Sequence, residues 1–261
     1  MRSLSISATG MLAQQLNVEV ISNNIANLNT TAFKRQRPEF QDMLYQQQRQ
    51  VGAQSSDAGT LVPNGVQLGT GVKTASVYRI TEQGNLVSTG NQLDVAVQGR
   101  GYFRIDLPNG DTAYTRAGTF QRSPDGQLVT ADGYTVSPGI LIPIDAVTVS
   151  INATGEVQVK LAGQIQPQTV GQIELNTFPN DAGLESLGDN LFVETPSSGQ
   201  AITGLPGQDG FGTLLQGFIE TSNVNAVSEI TNLITAQRAF ELNSKVITAS
   251  DEMLSTINQL R

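Results

Sequence analysis

The sequence predicts an α+β protein whose two chain ends form α-helices that pair as a coiled-coil-like bundle, with a central, mainly antiparallel β barrel or sandwich. Apolar residues recur at helical spacing near both ends, and short alternating runs separated by turn residues fill the middle. Four segments follow from this pattern. They are an N-terminal helix over 1–35, an extended polar connector over 36–70, a β-rich outer domain over 71–219 and a C-terminal helix over 220–261.

The first helix is predicted by an apolar residue at every seventh position. This row consists of Leu4, Met11, Val18 and Ile25, and Ile21 and Leu28 fill the intervening position in the later turns. Asparagines then accumulate from Asn23 to Asn29, and asparagine is a poor residue for a helix interior. The helix is therefore expected to end near Asn27.

The second helix is predicted by a stretch without Gly or Pro from residue 223 onward. Its apolar seam consists of Ala226, Ile230, Leu233, Phe240, Ile247 and Leu254. Asn223 or Asn225 is the expected N-cap. At 1.5 Å per residue the helix extends roughly 55 Å, which is too long for packing on a small domain alone. It needs a partner helix, either within the chain or in a neighbouring copy.

The middle of the chain is predicted to form antiparallel hairpins. Residues 102–107 face 112–116 across Pro108-Asn109-Gly110-Asp111, and 147–151 face 156–161 across Asn152-Ala153-Thr154-Gly155. A third pair joins 118–122 to 127–130. Residues 36–70 contain a run of glutamines followed by Gly, Ser and Asp, and this composition predicts an extended connector without a core of its own.

Composition excludes several classes of function. The chain has no histidine and no cysteine, so imidazole-based acid–base catalysis, thiol nucleophiles, disulfides and zinc sites that use sulfur or imidazole are all excluded. Its net charge of −8 argues against nucleic-acid binding. Neither a cleavable secretory signal nor the roughly 20 apolar residues of a membrane span is apparent, so no direct membrane insertion is expected. The sequence therefore predicts a protein that is not an enzyme and has no cofactor or metal.

Two other classes of function stay open at this point. A carboxylate-based glycosidase that is secreted and acts on the cell wall is one, because sequence gives no distance between carboxyl groups. A glycan-binding module is the other. Gly69-Thr70-Gly71-Val72-Lys73-Thr74 is a poor match to a phosphate-binding loop, since Val72 separates the glycine from the lysine and a strand is expected to follow.

Three motifs resemble those of the flagellar rod and hook protein family. The opening motif spans residues 26–35 and contains Asn27, Thr30, Thr31, Phe33 and Lys34, with Ala32 where the family usually has glycine. The central motif is Tyr114-Thr115-Arg116-Ala117-Gly118-Thr119-Phe120. The closing motif spans residues 220–225 and 237–245 and contains Asn223, Asn225, Gln237 and Arg238. Together they extend the similarity over nearly the whole chain, which by length and connector is most like the distal rod members of the family.

This resemblance implies a structural subunit that assembles with its own copies into a stiff helical tube, a drive shaft that carries torque from motor to hook. The terminal helices are implied to line the inner wall, with the connector bracing neighbours. The implied partners are proximal rod proteins, the hook protein, the rod cap and the ring proteins in the peptidoglycan and outer membrane. The implied location is the flagellar basal body, across the periplasm, after export by the flagellar type III apparatus. A proximal rod or hook subunit is the nearest alternative.

Overall fold

The computed structural model describes residues 2–49, 64–164 and 166–259. The chain divides into two compact units. The helical unit contains Met1–Ala26, Gln36–Arg79 and Asn225–Arg261, and the β-rich unit contains Asn27–Arg35 and Ile80–Val224. The four-segment scheme with limits at residues 35, 70 and 219 stays a prediction, whereas this division places residues 36–79 with the helices.

The helical unit contains two long helices that pack against each other, α1 (Arg2–Ala26) and α2 (Ala226–Gln259). This confirms the predicted pairing of the chain ends. Asn225 is the N-cap of α2, since its side-chain Oδ1 accepts a hydrogen bond from the Ser228 N–H at 3.1 Å. Of the two candidate caps, Asn223 instead lies in the β-rich unit.

Four strands are described in the helical unit besides the two helices: β1 (Gln36–Asp42), β2 (Tyr45–Arg49), β3 (Val66–Gly69) and β4 (Val72–Arg79). β1 pairs with β4 and β2 with β3, both antiparallel, so the segments on either side of residues 50–63 run beside each other. Where it is described, the predicted connector therefore consists of paired strands: β2 pairs with β3 within it, and β1 pairs with β4, which begins after residue 70. Residues 50–63, which hold part of its Gln, Ser and Gly run, lie outside the described residues.

The described residues of the β-rich unit form sixteen strands and one short 3-10 helix, Asp181–Gly183. The strands are β5 (Leu86–Ser88), β6 (Val95–Gln98), β7 (Phe103–Asp106), β8 (Thr112–Thr115), β9 (Gln121–Arg122), β10 (Leu128–Val129), β11 (Thr135–Val136), β12 (Ala146–Ile151), β13 (Glu156–Leu161), β14 (Gln168–Gln172), β15 (Leu175–Thr177), β16 (Glu185–Gly188), β17 (Leu191–Val193), β18 (Ile202–Gly204), β19 (Thr213–Gln216) and β20 (Phe218–Glu220).

All strand pairs of this unit are antiparallel. A seven-stranded sheet has the order β16-β17-β8-β7-β11-β10-β9, a three-stranded sheet has the order β12-β13-β14, and three further pairs are β15-β18, β19-β6 and β20-β5. The three predicted hairpins are confirmed as β7-β8, β9-β10 and β12-β13. Among the described strands no sheet closes into a barrel, so the α+β class is confirmed with open sheets.

Two clusters of buried apolar residues are described in the β-rich unit, and the larger one contains residues of β6 and β7. Phe103 from β7 and Phe120 from the central motif meet edge to face, with ring centroids 5.0 Å apart. β6 contributes Val95, Ala96 and Val97, all of which are buried. Successive residues of a strand point to opposite faces, so the burial of all three shows that both faces of β6 are covered.

Gly118 allows the central motif to approach the backbone of β6. A Cβ atom at this position would lie 1.6 Å from the carbonyl oxygen of Val95, whose N–H donates to the Gly118 carbonyl at 2.9 Å. We expect Gly118→Ala to lower the free energy of unfolding of the β-rich unit by about 2 to 3 kcal/mol, since backbone atoms must move apart.

Urea unfolding followed by circular dichroism measures this effect. Gly133→Ala is the matched control, because a Cβ there meets nothing within 4 Å and only the positive φ of 86° is strained. Its expected cost is about 1 kcal/mol. Equal losses for the two variants would contradict the steric explanation.

Candidate functional site

The opening, central and closing motifs meet at one buried carboxylate, Glu220, in the β-rich unit. Lys34 of the opening motif places its Nζ 2.5 Å from Glu220 Oε1, and Arg116 of the central motif places its Nε 2.5 Å from Glu220 Oε2. Glu220 is 1 % exposed, and both basic residues are also buried. The three motifs are therefore joined by an ion triad, which we define as Lys34, Arg116 and Glu220.

The remaining polar atoms of the ion triad bond to backbone. Lys34 Nζ donates to the Glu82 carbonyl at 2.8 Å, and Glu220 Oε1 accepts from the Gly84 N–H at 2.8 Å. Arg116 donates from its two terminal nitrogens to the carbonyl oxygens of Gly99 and Gly101. Each of these partners reduces the desolvation cost that a buried charge carries. The arrangement holds segments 33–35, 80–84, 97–101, 116 and 220 together.

Asn223 makes a second connection between two of these segments, 33–35 and 80–84. Its Oδ1 accepts from the Arg35 N–H at 2.7 Å, and its Nδ2 donates to the carbonyl oxygens of Ile80 and Glu82 at 2.9 and 3.0 Å. Both ends of the Asn223 amide are therefore used, and they hold the backbone at Arg35 close to the backbone at Ile80 and Glu82. Asn223 is therefore a structural crosslink within this unit.

The opening motif is a compact turn with one residue in a left-handed conformation. Thr30 donates from its Oγ1 to Asn27 Oδ1 at 3.0 Å, and the Phe33 N–H donates to the Thr30 carbonyl at 3.3 Å; Thr31 and Phe33 are half-buried. Ala32 has a φ of 57° and its N–H donates to the Glu220 carbonyl at 2.8 Å. The backbone conformation that a glycine would adopt readily is thus retained by alanine, at a cost of about 1 to 2 kcal/mol.

The pKa of the Lys34 ammonium lies below 10.5, its ordinary value, chiefly because burial penalises the charged form. The nearby Arg116 charge lowers it further, while the Glu220 carboxylate acts in the opposite direction. In the pH window between this lowered pKa and 10.5, the unfolded chain binds a proton that the folded chain does not. The free energy of unfolding therefore gains a positive slope with pH from this group.

We expect this slope to be larger in the wild type than in Lys34→Met, by up to about 1.4 kcal/mol per pH unit. Urea unfolding followed by circular dichroism between pH 8 and 10.5 measures both. Burial raises the pKa of Tyr114, and the opposite slope from this tyrosine is common to both proteins and cancels in the comparison. Identical slopes would contradict a lowered Lys34 pKa.

The seam between α1 and α2 within the helical unit combines small and polar residues with two larger apolar ones, Val20 and Ile21. The buried positions of α1 are Ser7, Ala13, Val20, Ile21 and Asn24, and those of α2 are Glu229, Ala236 and Ser250. Asn24 donates from Nδ2 to Glu229 Oε2 at 3.2 Å and exchanges hydrogen bonds with the backbone of Gln36. Gly10 lies so close to Asn243 that a Cβ would be 2.9 Å from the amide nitrogen.

Most residues of the predicted apolar rows lie beside this seam, whereas Ile21 is part of it and Leu28 follows the end of α1. Of the predicted residues, Ile21 is buried, and the half-buried ones are Leu4, Met11, Val18, Ile25, Leu28, Leu233, Ile247 and Leu254. Ile230 and Phe240 are exposed, as are Gln237 and Arg238 of the closing motif. Heptad reasoning missed the polar seam, although Glu229, Ala236, Asn243 and Ser250 recur every seven residues and share the face that packs on α1.

A groove of about 370 Å³ runs along one flank of the helix pair. Val18 and Phe240 are its apolar residues, and Glu19, Glu241 and two glutamines, Gln15 and Gln237, surround them. Elsewhere α2 exposes further apolar side chains, namely Val227, Ile234, Leu242, Val246, Met253 and Ile257. Exposed apolar side chains that form a continuous patch commonly mark protein–protein contacts.

Sequence comparisons match the three motif regions to three family descriptions. Residues 4–34 match "Flagella basal body rod protein", residues 96–159 match "Flagellar hook protein FlgE/F/G D1 domain", and residues 215–260 match "Flagellar basal body rod FlgEFG protein C-terminal". A flagellar basal-body rod protein FlgG of Caulobacter vibrioides is 62% identical over 261 residues, which is 100% of both chains. The chain belongs to the flagellar basal-body rod protein family.

Other rod proteins of the family are similar over the same length. A FlgG of Agrobacterium fabrum is 51% identical over 259 residues, 99% of each chain. A FlgG of Bacillus subtilis is 42% identical over 268 residues, which is 100% of this chain and 99% of the relative. The resemblance that the three motifs indicated is therefore confirmed, and each of the three motifs contributes one member of the ion triad in this rod-family chain.

The part of the chain that the structure describes contains neither a helix long and apolar enough to cross a membrane nor a cluster of three acidic residues that could hold a metal ion. Glu220 and Arg116 were not singled out among the predicted site residues. Their signal was present, since each is a charged residue within an otherwise uncharged run, Phe218-Ile219-Glu220 and Tyr114-Thr115-Arg116.

Proposed function

We propose that this chain is a non-catalytic structural subunit of the flagellar distal rod. Its copies assemble into a stiff helical tube that transmits torque from the motor to the hook. The observation that carries this proposal is the 62% identity over the whole chain with a protein named as a flagellar basal-body rod protein. The relatives at 51% and 42% identity carry the same name.

The helical unit supports assembly on physical grounds. Its internal seam uses mainly small and polar residues, and much of the apolar surface of α2 is left exposed. Exposed apolar side chains gain free energy when a second helix covers them, at roughly 25 cal/mol for each Å² removed from water. A head-to-tail contact between identical chains that does not close on itself produces a helical filament. The exposed and half-buried residues of the two predicted seams, from Leu4 to Leu28 except the buried Ile21 and from Ile230 to Leu254, are therefore proposed as contacts between copies.

Partners and location follow from this role as proposals. The tube would join proximal rod proteins at one end and the hook protein at the other, beneath the rod cap during growth. The peptidoglycan and outer-membrane ring proteins would surround it in the periplasm, after export by the flagellar type III apparatus. The connector, at 36–70, would brace one copy against its neighbours through its many amide groups.

A proximal rod or hook position is the second candidate, because one relative with a different printed name is also similar. The flagellar hook-basal body complex protein FlhP of Bacillus subtilis is 31% identical over 275 residues, 100% of each chain. Imaging a tagged copy along the basal body separates these positions. A signal on the motor side of the rod or in the hook would move the assignment away from the distal rod.

Electron microscopy of the purified chain after polymerisation tests the proposed function. Straight, rigid tubes are the expected result, whereas a chain that stays monomeric at all concentrations would contradict the proposal. The alternative from another class, a carboxylate-based glycosidase, predicts new reducing ends after incubation with purified peptidoglycan. We expect none.

A further inference from the structure

The seven-stranded sheet of the β-rich unit has an exposed apolar residue at its β16 edge. Leu187 lies at a register shift between Ser186 and Gly188 in the pairing of β16 with β17, and it is 58 % exposed. A β-bulge of this kind re-aims the extra side chain and twists the strand locally. The hairpin that follows turns at Asp189 and Asn190, both of which have positive φ. Leu187 is thus an apolar projection on an edge strand.

Two exposed carboxylates flank this projection. Glu185 lies two residues before Leu187 and Asp189 lies two residues after it, and both are exposed. Neither makes a salt bridge to the described part of the chain. The β16 edge therefore presents a leucine between two negative charges.

The opposite edge of the same sheet carries a groove of about 360 Å³ beside β9. Its apolar lining comes from Leu93, Ile142, Val147 and Val149, and Val147 is 64 % exposed. Arg122 of β9 is the one charged residue among the described residues that line it. Asp145 immediately precedes β12 but is not among the residues that line the groove.

Arg122 is also without an ion-pair partner in the described residues. The two edges therefore complement each other in shape and in charge: one has an apolar projection with carboxylates, and the other has an apolar groove with a guanidinium. They lie at opposite ends of the strand order, so one chain cannot satisfy both by pairing its own edges. Two copies can, with the β16 edge of one facing the β9 edge of the next.

We propose that Leu187 of one copy inserts into the groove beside Arg122 of the neighbouring copy, with Glu185 and Asp189 facing that guanidinium. The occupant of the groove is thus a second copy of this chain. The contact joins two different surfaces, so it is heterologous and repeats without closing unless the rotation happens to form a ring. The inference rests on the proposed function, since it requires that copies assemble, and it adds a named contact between their β-rich units.

Disulfide trapping tests this contact directly, because the chain has no cysteine of its own. Val147→Cys combined with Leu187→Cys places one thiol in the groove and one on the projection. A bond forms only where the two Cα atoms lie within about 4.4 to 6.8 Å of each other. After polymerisation and mild oxidation, we expect a ladder of covalent multimers on a non-reducing gel. Either single variant should give at most traces of dimer.

A charge variant keeps the test decisive if the cysteine pair impairs assembly. We expect Arg122→Glu to raise the concentration needed for polymerisation about tenfold, and the same variant with Glu185→Arg and Asp189→Arg to recover most of that loss. Lys160→Glu makes the same change of charge at an exposed strand position that does not line the groove, and it is expected to behave as wild type.

The outcomes separate this inference from the proposed function. Wild-type tubes with no ladder in the polymerised cysteine variant would overturn the contact while leaving the rod role intact. If that variant does not polymerise, the charge variants decide. The proposed contact is overturned if Arg122→Glu and Lys160→Glu polymerise at the same concentration. A wild-type chain that forms no tube overturns both.

Discussion

Glu220→Gln is expected to lower the free energy of unfolding of the β-rich unit by about 3 to 5 kcal/mol. The substitution keeps the shape of the side chain but removes the only negative charge of the ion triad. Lys34 and Arg116 then remain buried without a counter-charge, and breaking a buried pair on one side carries this cost because the desolvation of the other side is no longer offset.

Amide hydrogen exchange in strands β6 to β8 measures this loss, since these buried strands report the opening of the β-rich unit. Glu174→Gln is the control, because Glu174 is an exposed carboxylate in the same unit, and its change should stay within about 0.5 kcal/mol. If the two glutamine variants are equally stable, the ion triad does not hold this unit together.

A second substitution in the Glu220→Gln background strengthens the test. Lys34→Met removes one of the two positive charges that were left without a partner. The double variant is therefore expected to be more stable than Glu220→Gln alone, which is the non-additive behaviour of residues in one ionic network. A double variant that loses the sum of the two single effects would show that the charges act independently.

Phe240→Asp is expected to raise the concentration needed for polymerisation at least about a hundredfold, which corresponds to about 2.7 kcal/mol per contact. Phe240 lies in the groove along the helix pair and is 40 % exposed. A carboxylate at an apolar contact between copies would be buried without a partner, at a cost of several kcal/mol. Glu19 and Glu241, which line the same groove, add repulsion.

Sedimentation of the polymer and far-ultraviolet circular dichroism of the free chain make the measurement. Phe240→Leu keeps an apolar side chain and is expected to polymerise nearly as wild type. Asn232→Asp adds the same charge at another exposed position of α2 and should have a small effect. Unchanged polymerisation of Phe240→Asp would show that this flank of α2 does not face a neighbour.

Local patterns predicted the secondary structure well. The heptads of Leu4 to Ile25 and Leu233 to Leu254 predicted two terminal helices, and the turn at residues 108–111 predicted the hairpin of β7 and β8. These features depend on residues close together in the chain, where spacing and turn chemistry act directly. The motif resemblance likewise led to the correct family from residues alone.

The heptads were less informative about which residues lie at the contact between the two helices. The internal seam uses Asn24, Glu229 and Ala236, because the closest approach of the helices favours small side chains and because Asn24 and Glu229 satisfy each other. An apolar stripe identifies a surface that avoids water but does not say what covers it. The assignment of the predicted apolar rows to contacts between copies stays a prediction for this reason.

By itself, the sequence determined the α+β class, two terminal helices, three hairpins and the family, since each of these follows from spacing or from motifs that are continuous in the chain. Only the tertiary structure decided that Lys34, Arg116 and Glu220 form one buried triad. Lys34 and Glu220 are 186 positions apart and Arg116 and Glu220 are 104 apart. Which charges form ion pairs across such separations depends on how the whole unit packs. A charge needs a partner of opposite sign only where packing removes it from water.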